Sequence, residues 1–164
     1  MRLFGRKKKE EKVFEEGCVY APVNGTTASL ESLEDGMFSE KMMGDGIVVA
    51  PSDGNFRSPV KGTVKAAFPT GHAYGILTDD EKEVLVHIGI DTVELNGKGF
   101  KAHVKQGQKV SVGDKLATVD LDVIREGGYP TDTIIIVTSG NLIKDRIAQN
   151  TEVQAGEHKL MELE

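Results

Sequence analysis

The chain has 164 residues, of which 38% are hydrophobic and 28% charged, and its formal net charge is −6. This composition excludes a collagen-like or wholly disordered chain, and the single cysteine, Cys18, excludes an internal disulfide and a zinc site built from several cysteines. Acidity with only 5% aromatic residues argues against a nucleic-acid-binding body, because phosphate contacts need a basic face.

The first predicted element is a basic leader over residues 1–16, followed by one domain over residues 17–164. Residues 1–12 carry a net charge of +4, so the remainder carries −10. Such runs are usually solvated, flexible tails, but the adjacent Leu3 and Phe4 leave open a weak contact with an anionic membrane surface. No apolar run approaches the ~20 residues of a membrane helix. We therefore expect a cytoplasmic protein, with the leader as its candidate for peripheral contact at the inner face of the membrane.

From Cys18 onward, glycine and proline separate short β-branched and aliphatic segments. Four of these predict strands, at residues 46–50, 84–88, 115–119 and 133–137. Helical periodicity is limited to residues 121–126 and 141–147, about two turns each. The pattern predicts an all-β domain, a β-sandwich or flattened barrel with only short helices.

Two internal echoes indicate a pseudo-duplication. Ala21-Pro22-Val23-Asn24-Gly25-Thr26 resembles Ser58-Pro59-Val60-Lys61-Gly62-Thr63, and Val110-Ser111-Val112-Gly113-Asp114 resembles Val153-Gln154-Ala155-Gly156-Glu157. Their irregular spacing is unlike that of a solenoid. Chance similarity between turns is the alternative.

Common catalytic motifs are absent, which leaves the histidines as candidates for chemistry. The sequence has no phosphate-binding loop, dinucleotide fingerprint, Gly-x-Ser-x-Gly or His-Glu-x-x-His. His103 and His158 lie in polar surroundings, so we assign them no chemistry.

His87 lies in a segment with strict alternation. In an extended chain one face carries Val84, Val86, Ile88 and Ile90, and the other carries Leu85, His87, Gly89 and Asp91. The first face is a predicted core face. His87 therefore faces away from it, beside Gly89, whose missing side chain would leave the ring open to a partner.

His72 lies fifteen residues before His87, so the two strands could be neighbours. A neutral histidine can attack phosphorus near pH 7, and a second ring, held by the Thr70 hydroxyl, could stabilise the phosphoryl charge. From this pattern alone, structural or surface histidines remain as plausible as catalytic ones.

Residues 84–93 resemble the active-site segment of the glucose-class enzyme IIA proteins of the bacterial sugar phosphotransferase system. Further similar segments occur in the same order, namely Ala21-Pro22-Val23-Asn24-Gly25, Phe38 to Gly46, Ser58 to Thr63, Thr70-Gly71-His72-Ala73 and Gly107 to Asp114. The resemblance implies an antiparallel β-sandwich with a pseudo-duplicated hybrid motif.

The resemblance also implies a phosphoryl relay that needs no metal or other cofactor. His87 would receive the group from the phosphocarrier HPr and pass it to a cysteine of the enzyme IIB domain of a sugar permease. His72 would contact the phosphoryl group, Thr70 would orient His72, and Asp91 would lie near the basic groups of the partner. The implied docking patch is apolar and comprises Met37, Phe38, Met42, Met43, Phe68, Leu85 and Val93.

Two other functions of related hybrid folds provide alternatives. Residues 59–64 and 107–114 are also similar to parts of a biotinyl or lipoyl carrier domain, but the Met-Lys-Met expected at its hairpin tip is absent. A zinc peptidase would need a third ligand beside His72 and His87, commonly from a His-x-His pair, which the sequence lacks.

Overall fold

The computed structural model describes residues 13–33, 35–36, 38–41, 43–138 and 142–164. Within these ranges the strands are β1 (Cys18–Tyr20), β2 (Gly25–Ala28), β3 (Asp45–Pro51), β4 (Asn55–Arg57), β5 (Gly62–Ala67), β6 (Ala73–Thr78), β7 (Glu83–Ile88), β8 (Phe100–Ala102), β9 (Lys109–Val110), β10 (Lys115–Val119), β11 (Thr133–Val137), β12 (Ile143–Arg146), β13 (Glu152–Val153) and β14 (Lys159–Leu163). The helices are α1 (Leu121–Glu126) and two short 3₁₀ helices, Leu30–Ser32 and Thr92–Leu95.

The described strands pair in antiparallel fashion and build three sheets. The largest has eight strands in the order β13-β2-β3-β11-β7-β6-β5-β9, and the two smaller sheets have the orders β4-β10-β8 and β1-β14-β12. The four strands that the sequence predicted are confirmed as β3, β7, β10 and β11. The antiparallel all-β architecture with only short helices is therefore confirmed.

The alternation of β7 fixes which of its side chains face the core. Val84, Val86 and Ile88 are fully buried in the main apolar cluster. Burying each of them stabilises the fold by roughly 1.5–3 kcal/mol, and a one-residue slip of the strand would expose all three. Leu85 and His87 are consequently held on the opposite face of the large sheet.

The sequence echoes correspond to duplicated backbone pairings. β2 begins at Gly25, which lies opposite Val153, and β5 begins at Gly62, which lies opposite Val110. Ahead of these strands, the Tyr20 N–H donates to the Pro59 carbonyl at 2.9 Å and the Arg57 N–H donates to the Pro22 carbonyl at 2.7 Å, as a reciprocal pair. The pseudo-duplication is confirmed, and chance similarity between turns is the wrong interpretation.

One of the two predicted helices is confirmed and the other is wrong. In α1 the Asp120 side chain accepts a hydrogen bond from the Asp122 N–H at 3.1 Å, which caps the helix. Residues 143–146, inside the second predicted helix, form strand β12 instead and pair with β14. A helix of two turns is marginal by itself, whereas pairing with β14 provides backbone hydrogen bonds and packs Ile143 and Ile147 against the core.

A second apolar cluster lies on the outer face of the large sheet. Residues 29–44, which join β2 to β3 and are called the covering loop here, place Leu30, Leu33 and Phe38 over side chains of β3 and β11. Ile90, predicted on the core face, packs against this second cluster together with Leu85. The expectation fails because β7 ends at Ile88 and Gly89, with φ of +79°, turns the chain.

The described part of the chain begins at Val13, so residues 1–12 of the predicted leader lie outside the described residues. The Phe14 ring packs edge-on against Tyr20 at a centroid distance of 5.1 Å, and the Glu15 N–H donates to the Tyr20 hydroxyl at 2.9 Å. Among the described residues, the helices are too short and polar to span a membrane.

Candidate functional site

His87 lies on β7 between two neighbouring strands of the large sheet. Its partners across the sheet are Ile134 on β11 and Ala73 at the start of β6. The side chain is half-buried, and its Nδ1 lies 2.8 Å from the Gly89 carbonyl oxygen. Because a carbonyl only accepts hydrogen bonds, this contact places a proton on Nδ1 and leaves the lone pair on Nε2 in the neutral ring.

Gly89 makes this contact possible by its backbone conformation. At φ of +79° a Cβ would lie 2.4 Å from the Thr92 Cγ2 atom and 2.9 Å from the Pro130 carbonyl oxygen. The prediction from sequence is that the missing side chain of Gly89 leaves the His87 ring open to a partner. The structure corrects this prediction, since Gly89 is buried and the missing side chain avoids a clash inside the protein.

The structure brings His72 beside His87, an arrangement that their separation in the sequence permitted. The two ring centroids are 5.0 Å apart with an interplanar angle of 81°. His72 is only 3% exposed, and its Nδ1 lies 2.5 Å from the Thr70 Oγ1. A hydrogen bond of 2.7 Å from the Ile88 N–H to the His72 carbonyl oxygen holds the start of β6 beside the last residue of β7.

Burial keeps both imidazoles neutral near pH 7. It is the main cause that lowers the pKa of His72 to about 4, with a smaller contribution from His87. Burial also lowers the pKa of His87, although the Gly89 carbonyl, Asp91 and Asp35 all act in the opposite direction. A neutral ring with a lone pair on Nε2 is the form of histidine that can act as a nucleophile.

Two carboxylates lie in the electrostatic surroundings of His87. Asp91 is exposed and precedes the 3₁₀ helix Thr92–Leu95 in a left-handed conformation, with φ of +61°. Asp35 was missed by the sequence analysis. Its carboxylate accepts hydrogen bonds from the Phe38 N–H at 2.9 Å and the Ser39 N–H at 3.0 Å. An aspartate three residues before a predicted patch residue is the turn signal that could have revealed it.

The predicted patch residues occupy different depths around the two rings. Phe38 is only 4% exposed and lies 5.1 Å from the His87 ring, whereas Phe68 is 44% exposed and lies 5.4 Å from the His72 ring. Met43 and Val93 are exposed, and Leu85 is half-buried in the second apolar cluster. Met37 and Met42 lie outside the described residues.

The two remaining histidines lie in other contacts. His103 Nε2 lies 2.7 Å from the Thr118 hydroxyl, and His158 Nδ1 accepts a hydrogen bond from the Gln154 N–H at 2.9 Å. In the described part of the chain, groups of three or more His, Cys, Asp or Glu side chains able to hold a metal ion do not occur.

Comparisons with known proteins agree on one family. The family model described as "phosphoenolpyruvate-dependent sugar phosphotransferase system, EIIA 1" matches residues 17–143. The chain belongs to this family.

Two curated relatives and one solved structure show the extent of the similarity. The chain is 53% identical over 126 residues to the PTS system glucose-specific EIICBA component of Streptococcus pneumoniae serotype 4. The aligned region covers 77% of this chain but only 17% of that protein. It is 43% identical over 164 residues to the PTS system glucose-specific EIIA component of Halalkalibacterium halodurans, covering 98% of this chain and 95% of that one. The glucose permease IIA structure from Mycoplasma capricolum superimposes with a TM-score of 0.82 at 40% identity, covering 88% of this chain and 93% of the other.

Membership of the EIIA family resolves the choice between the functions considered from sequence. EIIA components transfer phosphoryl groups within the sugar phosphotransferase system, so this chain is a phosphocarrier component. The biotinyl or lipoyl carrier and the zinc peptidase are not favoured. The superposition also confirms the predicted β-sandwich.

Proposed function

We propose that His87 Nε2 accepts a phosphoryl group from phospho-HPr and passes it to a cysteine of an enzyme IIB domain of a sugar permease. The observation that carries this proposal is the hydrogen bond from His87 Nδ1 to the Gly89 carbonyl oxygen. It selects the tautomer whose lone pair is on Nε2, the nitrogen that lies away from the backbone. Family membership supports HPr and enzyme IIB as the general classes of partner.

Each half of the relay exchanges one bond to phosphorus for another. In the first half, a bond forms between His87 Nε2 and phosphorus as the bond to the HPr histidine breaks and its electron pair returns to that ring. In the second half, a cysteine thiolate forms a bond to phosphorus, and His87 leaves as the neutral imidazole. The Nδ1–H of His87 donates a hydrogen bond to the Gly89 carbonyl oxygen in both halves, so no proton on this ring has to move.

His72 is proposed to stabilise the phosphoryl group without bonding to it. When the Thr70 hydroxyl donates to His72 Nδ1, the Nε2 of that ring carries a proton and can donate to a phosphoryl oxygen. A donor that is already oriented and desolvated stabilises developing charge better than water does. The edge-to-face arrangement of the two rings supports this division of roles.

Docking is proposed to combine apolar contact with acidic recognition. Phe68, Met43 and Val93 provide exposed apolar surface, and Phe38 forms the base beside His87. Asp35 and Asp91 act electrostatically on His87, which supports a role for them near basic groups of a partner. Met37, Met42 and Leu85 complete the proposed patch.

Replacing His87 tests the proposed nucleophile. His87→Ala should abolish acceptance of label from phospho-HPr, because no neighbouring group can replace the attacking nitrogen. His103→Ala is the matched control and should accept label at the wild-type rate, since His103 contacts Thr118 elsewhere. The labelled wild-type protein should lose its phosphate in acid and retain it in alkali, as a phosphohistidine does.

Mapping the label by mass spectrometry completes this test. Label on His87 supports the assignment. Label on His72, or acceptance by His87→Ala at more than a trace rate, would refute it.

We also propose that the leader over residues 1–16, whose Phe14 and Glu15 contact Tyr20 of the domain over residues 17–164, associates weakly with anionic membranes. The support is the sequence alone: a net charge of +4 over residues 1–12 and the apolar pair Leu3 and Phe4.

A further inference from the structure

The covering loop forms one wall of the histidine site. Phe38 packs beside the His87 ring, and Asp35, three residues earlier, acts electrostatically on the same ring. Any shift of this loop along the sheet would therefore move both groups relative to the nucleophile.

The hydrogen bonds of the described part of the loop do not tie it to the sheet, so its position depends on apolar packing, on the strands at its two ends and on side-chain contacts with the body. The hydrogen bonds described for residues 29–44 close within the segment, among them those from Phe38 and Ser39 to Asp35 and from the Lys41 N–H to the Phe38 carbonyl at 3.0 Å. Packing of Leu30, Leu33 and Phe38 on the sheet is non-directional. A directional contact between the loop and the body of the domain would constrain this position further.

An ionic network provides that contact. Arg146 on β12 donates from both terminal nitrogens to Asp45 at the start of β3, at 3.2 and 2.8 Å, and from one of them to the Gly46 carbonyl at 2.7 Å. The Lys41 ammonium lies 3.7 Å from Asp45 and 3.1 Å from Glu31. The network thus joins two strands of the body to both ends of the covering loop.

Lys41 links the ionic network to Phe38 through its backbone. Its backbone is left-handed, with φ of +61°, which is unfavourable for a lysine, and its N–H holds the Phe38 carbonyl. The hydrogen bonds from the Arg146 guanidinium lower the pKa of Asp45. The hydrogen bond between the Lys41 ammonium and Glu31 raises the pKa of Lys41. A backbone hydrogen bond and the hydrogen bond with Lys41 lower the pKa of Glu31, so Asp45 and Glu31 are both charged at neutral pH and the contacts act as ion pairs.

We propose that Arg146 and Asp45 are positioning residues of the phosphoryl relay. They hold Lys41, and through it the covering loop, in the position that presents Phe38 beside the His87 ring to the phosphodonor. The role in docking rests on the proposed function, whereas the positioning of Phe38 does not.

The test compares Arg146→Gln with Arg125→Gln. Arg125 is the matched control because its partner, Asp122, is three residues earlier on α1 and both side chains are largely exposed. In Arg146→Gln the KM for phospho-HPr should rise roughly fivefold, which corresponds to a loss of about 1 kcal/mol in the free energy of docking. The maximal rate should change by less than about twofold. In Arg146→Lys the KM should lie between those of the wild type and Arg146→Gln, because lysine keeps the positive charge but cannot make the two-nitrogen contact with Asp45.

Nuclear magnetic resonance of the His87 ring protons gives a readout that a merely stabilising role would not change. Phe38 faces this ring, so its ring current should make these signals shift in Arg146→Gln and, in the same direction, in Lys41→Gln, but not in Arg125→Gln. If Arg146→Gln unfolds, Lys41→Gln carries the test, because the strands keep their own pairings.

Unchanged KM with unchanged ring signals overturns the proposal, as does an equal effect of Arg125→Gln. Ring signals that shift while the wild-type protein takes no label from phospho-HPr support the positioning of Phe38 and refute the proposed function instead.

Discussion

At the scale of single residues, the two histidines of the site differ because their hydrogen-bond partners differ. A backbone carbonyl that can only accept contacts His87 Nδ1, whereas a hydroxyl that can donate contacts His72 Nδ1. The same side chain thereby presents a lone pair at one position and can present an N–H at the other. The carbonyl of Gly89 and the hydroxyl of Thr70 thus set the different roles of the two rings in the proposed chemistry.

His72→Gln should separate the two halves of the relay. The glutamine amide keeps a donor, so His87 should still become phosphorylated by HPr. Onward transfer to enzyme IIB should slow by about a hundredfold, corresponding to ~3 kcal/mol, because the amide stabilises the phosphoryl group less well than the imidazole while charge redistributes as the group leaves. Rapid-quench measurement of each half-reaction checks this, and equal slowing of both halves would contradict it.

His72 should also make folding stability depend on pH. Its pKa is about 4 in the folded protein against an ordinary value of 6.5, so the unfolded chain binds the proton first. The contribution is fully present above about pH 6.5 and is lost as the pH falls towards 4, which amounts to about 2 kcal/mol between pH 7 and pH 5. Urea denaturation at both pH values measures it.

In His72→Gln this part of the pH dependence should disappear. His103→Ala serves as the control, and it should retain the wild-type difference between pH 7 and pH 5. A His72→Gln protein that loses as much stability as the wild type would show that other groups cause the effect.

At the scale of elements, the duplicated hairpins depend on glycines where two strands approach closely. A Cβ at Gly62 would lie 2.1 Å from the Leu77 carbonyl oxygen, and a Cβ at Gly25 would lie 2.1 Å from that of Ala50. Gly75, on β6 of the same hairpin as Gly62, would meet only the Ala66 side chain at 3.8 Å. The equivalent positions in the two halves therefore share one steric requirement.

Gly62→Ala should destabilise the protein by more than ~2 kcal/mol, because the strand must move to relieve the clash. Gly75→Ala, the matched control, should change the free energy of unfolding by less than ~1 kcal/mol, since its new methyl group makes an ordinary contact. Urea denaturation of both variants checks the difference. Similar values for the two would mean that β5 can shift freely.

At the scale of the whole molecule, the N-terminal segment and the rest of the chain carry opposite net charges. Residues 1–12 carry +4 and the remainder carries −10, so an anionic surface should attract the leader and repel the body. Any membrane association should therefore depend on the leader and be weakened by salt.

Vesicle sedimentation tests this expectation. The full chain should bind weakly to anionic vesicles at low salt, and deletion of residues 1–12 should abolish the binding. Neutral vesicles provide the control. Equal binding of the two proteins would refute the role of the leader.

The sequence by itself determined four of the described strands, β3, β7, β10 and β11, and the two faces of β7 as far as Ile88. Alternating valine and isoleucine carry this information locally, since burial of one face fixes the register, and the repeated Pro-Val-x-Gly-Thr segments already indicated the duplication. The resemblance of residues 84–93 and the segments around them indicated the family. Helical periodicity over residues 141–147 was misleading, because pairing with β14 outweighs a weak local preference.

Only the tertiary structure decided how the site is assembled. The register of β6 against β7 brings His72 to His87, the turn at Gly89 selects the tautomer, and the covering loop adds Asp35. The contact between Arg146 and Asp45 joins residues 101 positions apart in the chain. Local sequence patterns cannot encode such contacts, because they arise only when the sheets pack and bury the groups that become neighbours.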